Sequence, residues 1–328
     1  MTSIDQSLVT VIIPCFNQGQ YLAAALDSVQ AQTHPTWECI VVNDGSSDCT
    51  TAVAEHYSRG DRRIRLVTQE NRGLSAARNA GIALARGHYL QFLDADDWIA
   101  PDKLERQLKA LDGYREPAAA YCYFRFGDPA DVTRTTKSRR DRPKLLSGDP
   151  FREIAWRWEL ELTLPAHCFL FDARLFAVSN VRFDEDLPNH EDWDCWLRLF
   201  RSNPPLVLVE AHLAIYRLRG GSLSKNTVRM WQGARSVCVK HGRADRANAD
   251  LFERKRRSLY HAYRVKRSQE IVSNALGSAY DHYRAHTPWP LQRLVNAVVG
   301  SVGLLVPLDA KHRITSRRTR TSVGAQHT

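Results

Sequence analysis

Four apolar runs, most of them rich in β-branched residues and set apart by helix-length segments, constrain this chain more than anything else in it. Leu8–Pro14 is a continuous run of this kind, as expected of a parallel strand buried on both faces. Tyr21, Leu22, Ala25, Leu26 and Val29 then recur at helical spacing before Pro35. Glu38–Val42 is a second buried strand, ended by the polar turn Asn43-Asp44-Gly45-Ser46-Ser47-Asp48. Asp48 is placed to N-cap a helix running to about Tyr57. Ile64–Thr68 is a third strand, Leu74–Ala85 a helix of small residues suited to close packing on a sheet, and His88–Leu93 a fourth strand. This βαβαβαβ order predicts an α/β fold with a mostly parallel sheet and helices on both faces.

Beyond Pro117 the alternation weakens. Ala118–Phe126 is a strand candidate, and Leu206–Val209 and Leu213–Leu218 are short strand candidates flanking a turn. Arg134–Lys144 carries six basic residues against one acid and reads as a solvated loop. From about Val228 the pattern is helical and basic.

In an open α/β sheet, ligands bind beyond the carboxyl ends of the strands. Three polar clusters lie at such ends: Pro14-Cys15-Phe16-Asn17, Asn43-Asp44-Gly45 and Asp94-Ala95-Asp96-Asp97. Neither G-x-G-x-x-G nor G-x-x-x-x-G-K-[ST] is present, which disfavours a dinucleotide site and removes the P-loop enzymes. Three carboxylates within four residues repel one another, and a hard divalent cation such as Mg²⁺ or Mn²⁺ relieves that cost while bridging to substrate phosphates. The plainer alternative is an acidic turn capping a helix that begins near Asp102.

The segments VIIPCFNQGQYL, CIVVNDGSSDCT, NRGLSAARNAGIALARGHYLQFLDADD and NHEDWDCWLRLF resemble those of family-2 glycosyltransferases of the GT-A fold, in order and spacing. The resemblance covers roughly residues 8–225. It implies an inverting, metal-dependent transfer of a sugar from a nucleotide-diphosphate donor, UDP-linked above all, to a glycan or lipid-linked acceptor. Pro14 and Phe16 would line the base and ribose pocket, and Asp44 would accept from the base or ribose. Asn71 and Arg78 would close the other side, with Gly73 letting the backbone approach. Asp94 would contact ribose or metal, and Asp96 would bind the cation, completing a DxD motif. Asp192 would be the general base, with Glu191 and Trp193 shaping the acceptor pocket. Where the family often shows Y-R-x-H-x-x-S, this chain has Tyr216-Arg217-Leu218-Arg219-Gly220-Gly221-Ser222. Arg219 cannot ligate a cation and would instead neutralise the leaving diphosphate.

Charge is unevenly spread. Residues 226–328 hold 19 Lys/Arg against 6 Asp/Glu, a net +13, whereas residues 1–225 carry a net −3. The expected organisation is a catalytic domain over 1–225, divided into a nucleotide-sugar half (1–115) and an acceptor half (116–225), followed by a basic helical region over 226–328. Trp289, Leu291, Leu294, Val295, Val298 and Val299, flanked by Arg254–Arg257 and Arg313–Arg320, fit an interfacial anchor on anionic lipid or a helix packed on the catalytic domain. With the tail as an anchor, truncation after Lys225 would cost membrane association more than catalysis. Seven scattered cysteines without a C-x-x-C pair and no signal-like N-terminus point to a cytoplasmic protein, peripheral at the inner membrane face. No standard nucleic-acid motif is present. The competing assignment is an inactive nucleotide-sugar-binding partner in an assembly.

Overall fold

All residues of β1 (Val9–Cys15) and β2 (Trp37–Asp44) are buried, as strands covered on both faces must be. The computed structural model describes residues 7–128, 131, 134–136, 138, 140–218 and 226–286, with side chains to residue 270. Between and after these strands run α1 (Gly19–Gln30), α2 (Thr50–Gly60), β3 (Ile64–Gln69), α3 (Leu74–Leu84), β4 (Tyr89–Phe92), β5 (Trp98–Ile99) and α4 (Lys103–Leu111). The later elements are β6 (Ala119–Gly127), β7 (Thr135–Thr136), α5 (Pro150–Arg157), β8 (Phe169–Asp172), α6 (Arg174–Val178), α7 (Glu191–Leu199), β9 (Leu206–Arg217), α8 (Thr227–Ala244) and α9 (Ala249–His286).

The described strands form one sheet in the order β3-β2-β1-β4-β8-β6-β9-β5, with β7 paired to β6. The first four strands are parallel, β8 joins antiparallel to both β4 and β6, and β9 runs parallel to β6. Alternate residues of β1 divide the layers. Val9, Val11, Ile13 and Cys15 face Leu22, Leu26, Ala54 and Leu104 of α1, α2 and α4. Ile12 faces α3 on the other side, so close that a Cβ on Gly81 would stand 2.3 Å from its Cγ2. The small residues expected to let this helix approach the sheet do so. Behind β4 and β8, Phe92, Phe171, Phe176 and Phe183 surround Trp196 of α7.

Two expectations change. Leu206–Arg217 is one continuous strand rather than two flanking a turn. Its pairing jumps from Cys122↔Val209 to Tyr123↔His212, so Glu210 and Ala211 form a bulge and the polar break bends the strand without ending it. Asp48 is not the N-cap of α2; that position is Cys49. One Asp48 oxygen instead accepts from Thr50 N at 2.9 Å and the other from Gly19 N at 3.0 Å, tying α2 to α1.

The chain divides into two compact units, residues 1–259 and 260–328. Residues 226–259 therefore belong with the sheet, and the break expected after 225 falls inside the first unit. The carboxylate of Asp194, fully buried at the start of α7, meets Lys240 Nζ at 2.8 Å and His241 Nε2 at 2.9 Å from α8, and Arg198 Nη2 at 2.6 Å from its own helix. Asn189 donates to the Arg229 carbonyl at 2.8 Å and abuts Gly233, where a Cβ would meet its Oδ1 at 1.8 Å. The apolar stretch Leu294–Leu308 and the cluster Arg313–Arg320 lie outside the described residues. No described helix is long and apolar enough to cross a membrane.

Packing of α8 adds a structural cost to truncation. A chain ending at residue 225 would strip Asp194 of Lys240 and His241 and bare the surface against which Ala234, Val237 and Cys238 of α8 are buried. The truncated protein should lose the cooperative thermal transition of the intact chain. A circular-dichroism melt matching that of the full chain would show α8 to be dispensable.

Candidate active site

Loops follow the carboxyl ends of β1, β2 and β4 on one side of the sheet, and hydrogen bonds tie the first two together. After β1, Pro14 is buried while the Phe16 ring is 47% exposed. Asn17, at φ +53, accepts from Ser47 N at 2.9 Å and donates its own N–H to Ser46 Oγ at 3.0 Å. At the end of β2, Asp44 organises the following loop. One oxygen accepts from Gln69 Nε2 at 2.7 Å and Arg72 N at 2.9 Å; the other accepts from Gly73 N at 2.8 Å. Asn71 is exposed in that loop and presses on Gly45, where a Cβ would stand 2.9 Å from its backbone nitrogen. A Cβ on Gly73 would meet no protein atom, so among protein contacts its requirement is conformational: φ is +91.

The acidic cluster after β4 divides into two kinds of carboxylate. Asp97 is buried and structural. It lies 2.9 Å from His167 Nδ1 and accepts Arg217 N at 2.9 Å. Arg217 Nε in turn donates to the Asp96 carbonyl at 2.7 Å, so the end of β9 clamps this turn. Burial opposes protonation of His167, but the charge of Asp97 outweighs it and raises the pKa. Asp94 and Asp96 are only partly buried. The turn does not cap α4 through a side chain, since Asp102 occupies that position without such a bond.

Arg78 is buried rather than exposed on its helix. Its Nη2 donates to Asp94 at 2.8 Å and its Nη1 to Glu191 at 2.7 Å, with the Phe183 ring 5.1 Å from the guanidinium carbon. Burial works against its charge, yet the two carboxylates outweigh it and raise its pKa. One side chain thereby connects the DxD turn to the start of α7.

That start is shaped by His190, the N-cap of α7 at φ +60. Glu191, Asp192 and Asp194 fill the first turn, where carboxylates complement the helix dipole. Asp192 accepts from Trp193 N at 2.6 Å. Burial, and next the charge of Glu191, push its pKa up to about 7. Trp193 cannot line an acceptor pocket directly: it is fully buried, lies parallel to Trp158 at 6.4 Å and donates to the Ile154 carbonyl at 3.1 Å. Arg219 lies outside the described residues.

Sequence reasoning missed Asp194, Lys240, His241, His167 and the part of Arg217. Only Asp194 left a local trace, an i,i+4 pairing with Arg198; the others are joined across long separations. Among the described residues, no three His, Cys, Asp or Glu side chains gather into a metal cage.

The sequence profile described as glycosyl transferase family 2 matches residues 10–178. The chain belongs to this family. Among its relatives is glycosyltransferase GlyA of Streptococcus pneumoniae, 31% identical over 69% of this chain and 33% of GlyA. The Bacillus subtilis putative teichuronic acid biosynthesis glycosyltransferase TuaG is 30% identical over 70% of this chain and 85% of its own. The chain thus spans about a third of GlyA, but most of TuaG. The GT-A fold is shared with S. aureus TarS 1–349 in complex with UDP-GlcNAc, with a TM-score of 0.56 and 20% identity over 70% of this chain and 65% of that one. It is shared also with the mannosyltransferase PcManGT from Pyrobaculum calidifontis in complex with GDP-Man and Mn²⁺, with a TM-score of 0.58 and 18% identity over 94% and 83%. As a family-2 glycosyltransferase, the protein has the mostly parallel sheet expected of it.

Asp192 makes stability depend on pH. Its carboxyl ionises near 3.8 when unperturbed and near 7 in the fold. As pH rises from about 4, the unfolded chain releases this proton first, so the native state loses stability up to about pH 7 and no further. Asp192→Asn removes the penalty. The variant should therefore melt above the parent, by a margin that widens from pH 4 to 7 and then levels off. A margin that does not change with pH would refute the raised pKa.

Proposed function

We propose that the protein transfers a sugar from a nucleotide-diphosphate donor to an acceptor hydroxyl with inversion at the anomeric carbon. The observation that carries this reading is Arg78, whose guanidinium spans from Asp94 at the donor-side turn to Glu191, the neighbour of Asp192. In the proposed step Asp192 takes the proton of the acceptor hydroxyl as its oxygen attacks the anomeric carbon. The bond from that carbon to the diphosphate oxygen breaks on the opposite face, and the nucleoside diphosphate departs. A carboxylate with a raised pKa suits this task, because a base works best with a pKa near the working pH.

Pro14, Phe16, Asn71 and Gly73 are assigned to the base and ribose pocket, with Asp44 holding the loop that carries the last two. Asp94 and Asp96 are assigned to Mn²⁺ or Mg²⁺. Two carboxylates fit such a cation, which commonly keeps one or two of them and completes its shell with substrate phosphates and water. When bound, the cation would neutralise charge on the leaving diphosphate. Arg78 would hold Asp94 in place, and Asp97 and Arg217 would fix the turn behind Asp96.

UDP-linked sugars are the donors assigned. TarS with UDP-GlcNAc and PcManGT with GDP-Man support the nucleotide-sugar class. The name of TuaG supports a role in cell-envelope polysaccharide synthesis, with a glycan or lipid-linked acceptor. Residues 1–115 would serve the donor and 116–225 the acceptor, and the basic region after 225 would draw the protein to the anionic inner face of the membrane.

Asp192→Asn should lower kcat about 10²–10⁴-fold, the usual contribution of a general base, while donor affinity stays near normal. Equal losses in affinity and kcat/KM would move Asp192 into the donor pocket. NMR of the product should show the anomer inverted relative to the donor, and retention would overturn single displacement.

Asp96→Ala should abolish Mn²⁺-dependent thermal stabilisation by the nucleotide sugar, with the melting point of the ligand-free protein little changed. Undiminished metal-dependent stabilisation in the variant would remove Asp96 from the cation site.

A further inference from the structure

Lys255, on α9, is fully enclosed. Its ammonium donates to the carbonyls of Trp156 at 2.6 Å and Trp158 at 2.5 Å and stands 5.7 Å from the centre of the Trp193 ring. Enclosing an ammonium is costly, and burial pulls its pKa down to about 8. A methionine would fill similar space without that cost, so the two carbonyls are what the charge serves.

The turn they belong to touches both sides of the proposed base. Trp158 runs parallel to Trp193 with ring centres 6.4 Å apart, and the Trp193 backbone N–H donates to Asp192. Glu159, at φ +65, places Oε1 3.4 Å from Nε2 of His190, itself at φ +60. Two non-glycine residues in the left-handed region, one at each end of a single contact, stay there only while the surrounding packing holds them.

We infer that Lys255 is a positioning residue for the acceptor side of the reaction, holding through Trp158 and Glu159 the turn that aims Glu191 and Asp192. This role rests on Asp192 acting as the base. It makes the start of α9 part of the enzyme's working structure, reached from 63 residues further along the chain than Asp192.

The test measures release of UDP or GDP, with water as acceptor, from whichever nucleotide sugar stabilises the protein most. Lys255→Met removes the donors and keeps the apolar stem. Its turnover should fall on the order of 10–100-fold, as a small misplacement of a reacting group does. Affinity for UDP or GDP with Mn²⁺, measured by calorimetry, should stay within about twofold, since ground-state donor binding is untouched. Lys255→Arg, which keeps a cation with donors for both carbonyls, should recover part of the loss. If Lys255→Met does not fold, Glu159→Ala perturbs the same turn at a side chain 31% exposed and should lower turnover with the same unchanged nucleotide affinity. Wild-type turnover in the soluble variants, or equal losses of affinity and turnover, would overturn the positioning role. Asp192→Asn measured alongside separates the two assignments: normal turnover there defeats the base, whereas a dead Asp192→Asn beside a fully active Lys255→Met defeats only the positioning role.

Discussion

A guanidinium removed from water must have its charge met, and in this protein that need joins the two halves of the site. Arg78 has carboxylates from two directions, Asp94 sixteen residues on and Glu191 more than a hundred residues on. Arginine suits the position because its planar fork offers separate donors to separate acceptors. With Asp94 and Glu191 bound to one rigid group, the DxD turn and the first turn of α7 cannot drift apart independently. Asp192 inherits its surroundings from this arrangement. It lies beside Glu191, whose charge and the local burial hold its proton more tightly than water would.

The same logic recurs behind the site at a larger scale. Asp194 is buried with Arg198, Lys240 and His241 around it, and these partners outweigh burial and keep it ionised well below the usual carboxylate range. Lys255 supplies a cation to backbone carbonyls on the other side of Trp193. After β4, Asp97, His167 and Arg217 do for the DxD turn what these groups do for α7. Removing one member of such a cluster leaves a buried charge with too few partners, which is costly.

Much of this was legible in the residues. The buried β-branched runs and the small residues of Leu74–Ala85 predicted the parallel half of the sheet and the close approach of its helix. The mixed half was harder to read. β8 is four residues long, β5 two, and β9 carries a bulge that looks like a turn when only its own residues are considered. Side-chain direction was also hidden. Trp193 follows Asp192 directly, yet one helical step of about 100° turns it from the site into the core.

The sequence by itself determined the layering of the fold, the family, and the residue types gathered at the strand ends. Those depend on local periodicity and on short contiguous motifs, and both survive without knowledge of distant contacts. Only the tertiary structure decided which carboxylate of each acidic run is enclosed. Asp97 and Asp194 became internal supports, while Asp94, Asp96 and Asp192 stayed partly exposed. It also decided that α8 and the start of α9 complete the first compact unit, although their charge count suggested an appendage. The reason is electrostatic: whether a buried charge is tolerable depends on partners as remote as Lys240 and Arg217, and no local pattern records where they will stand.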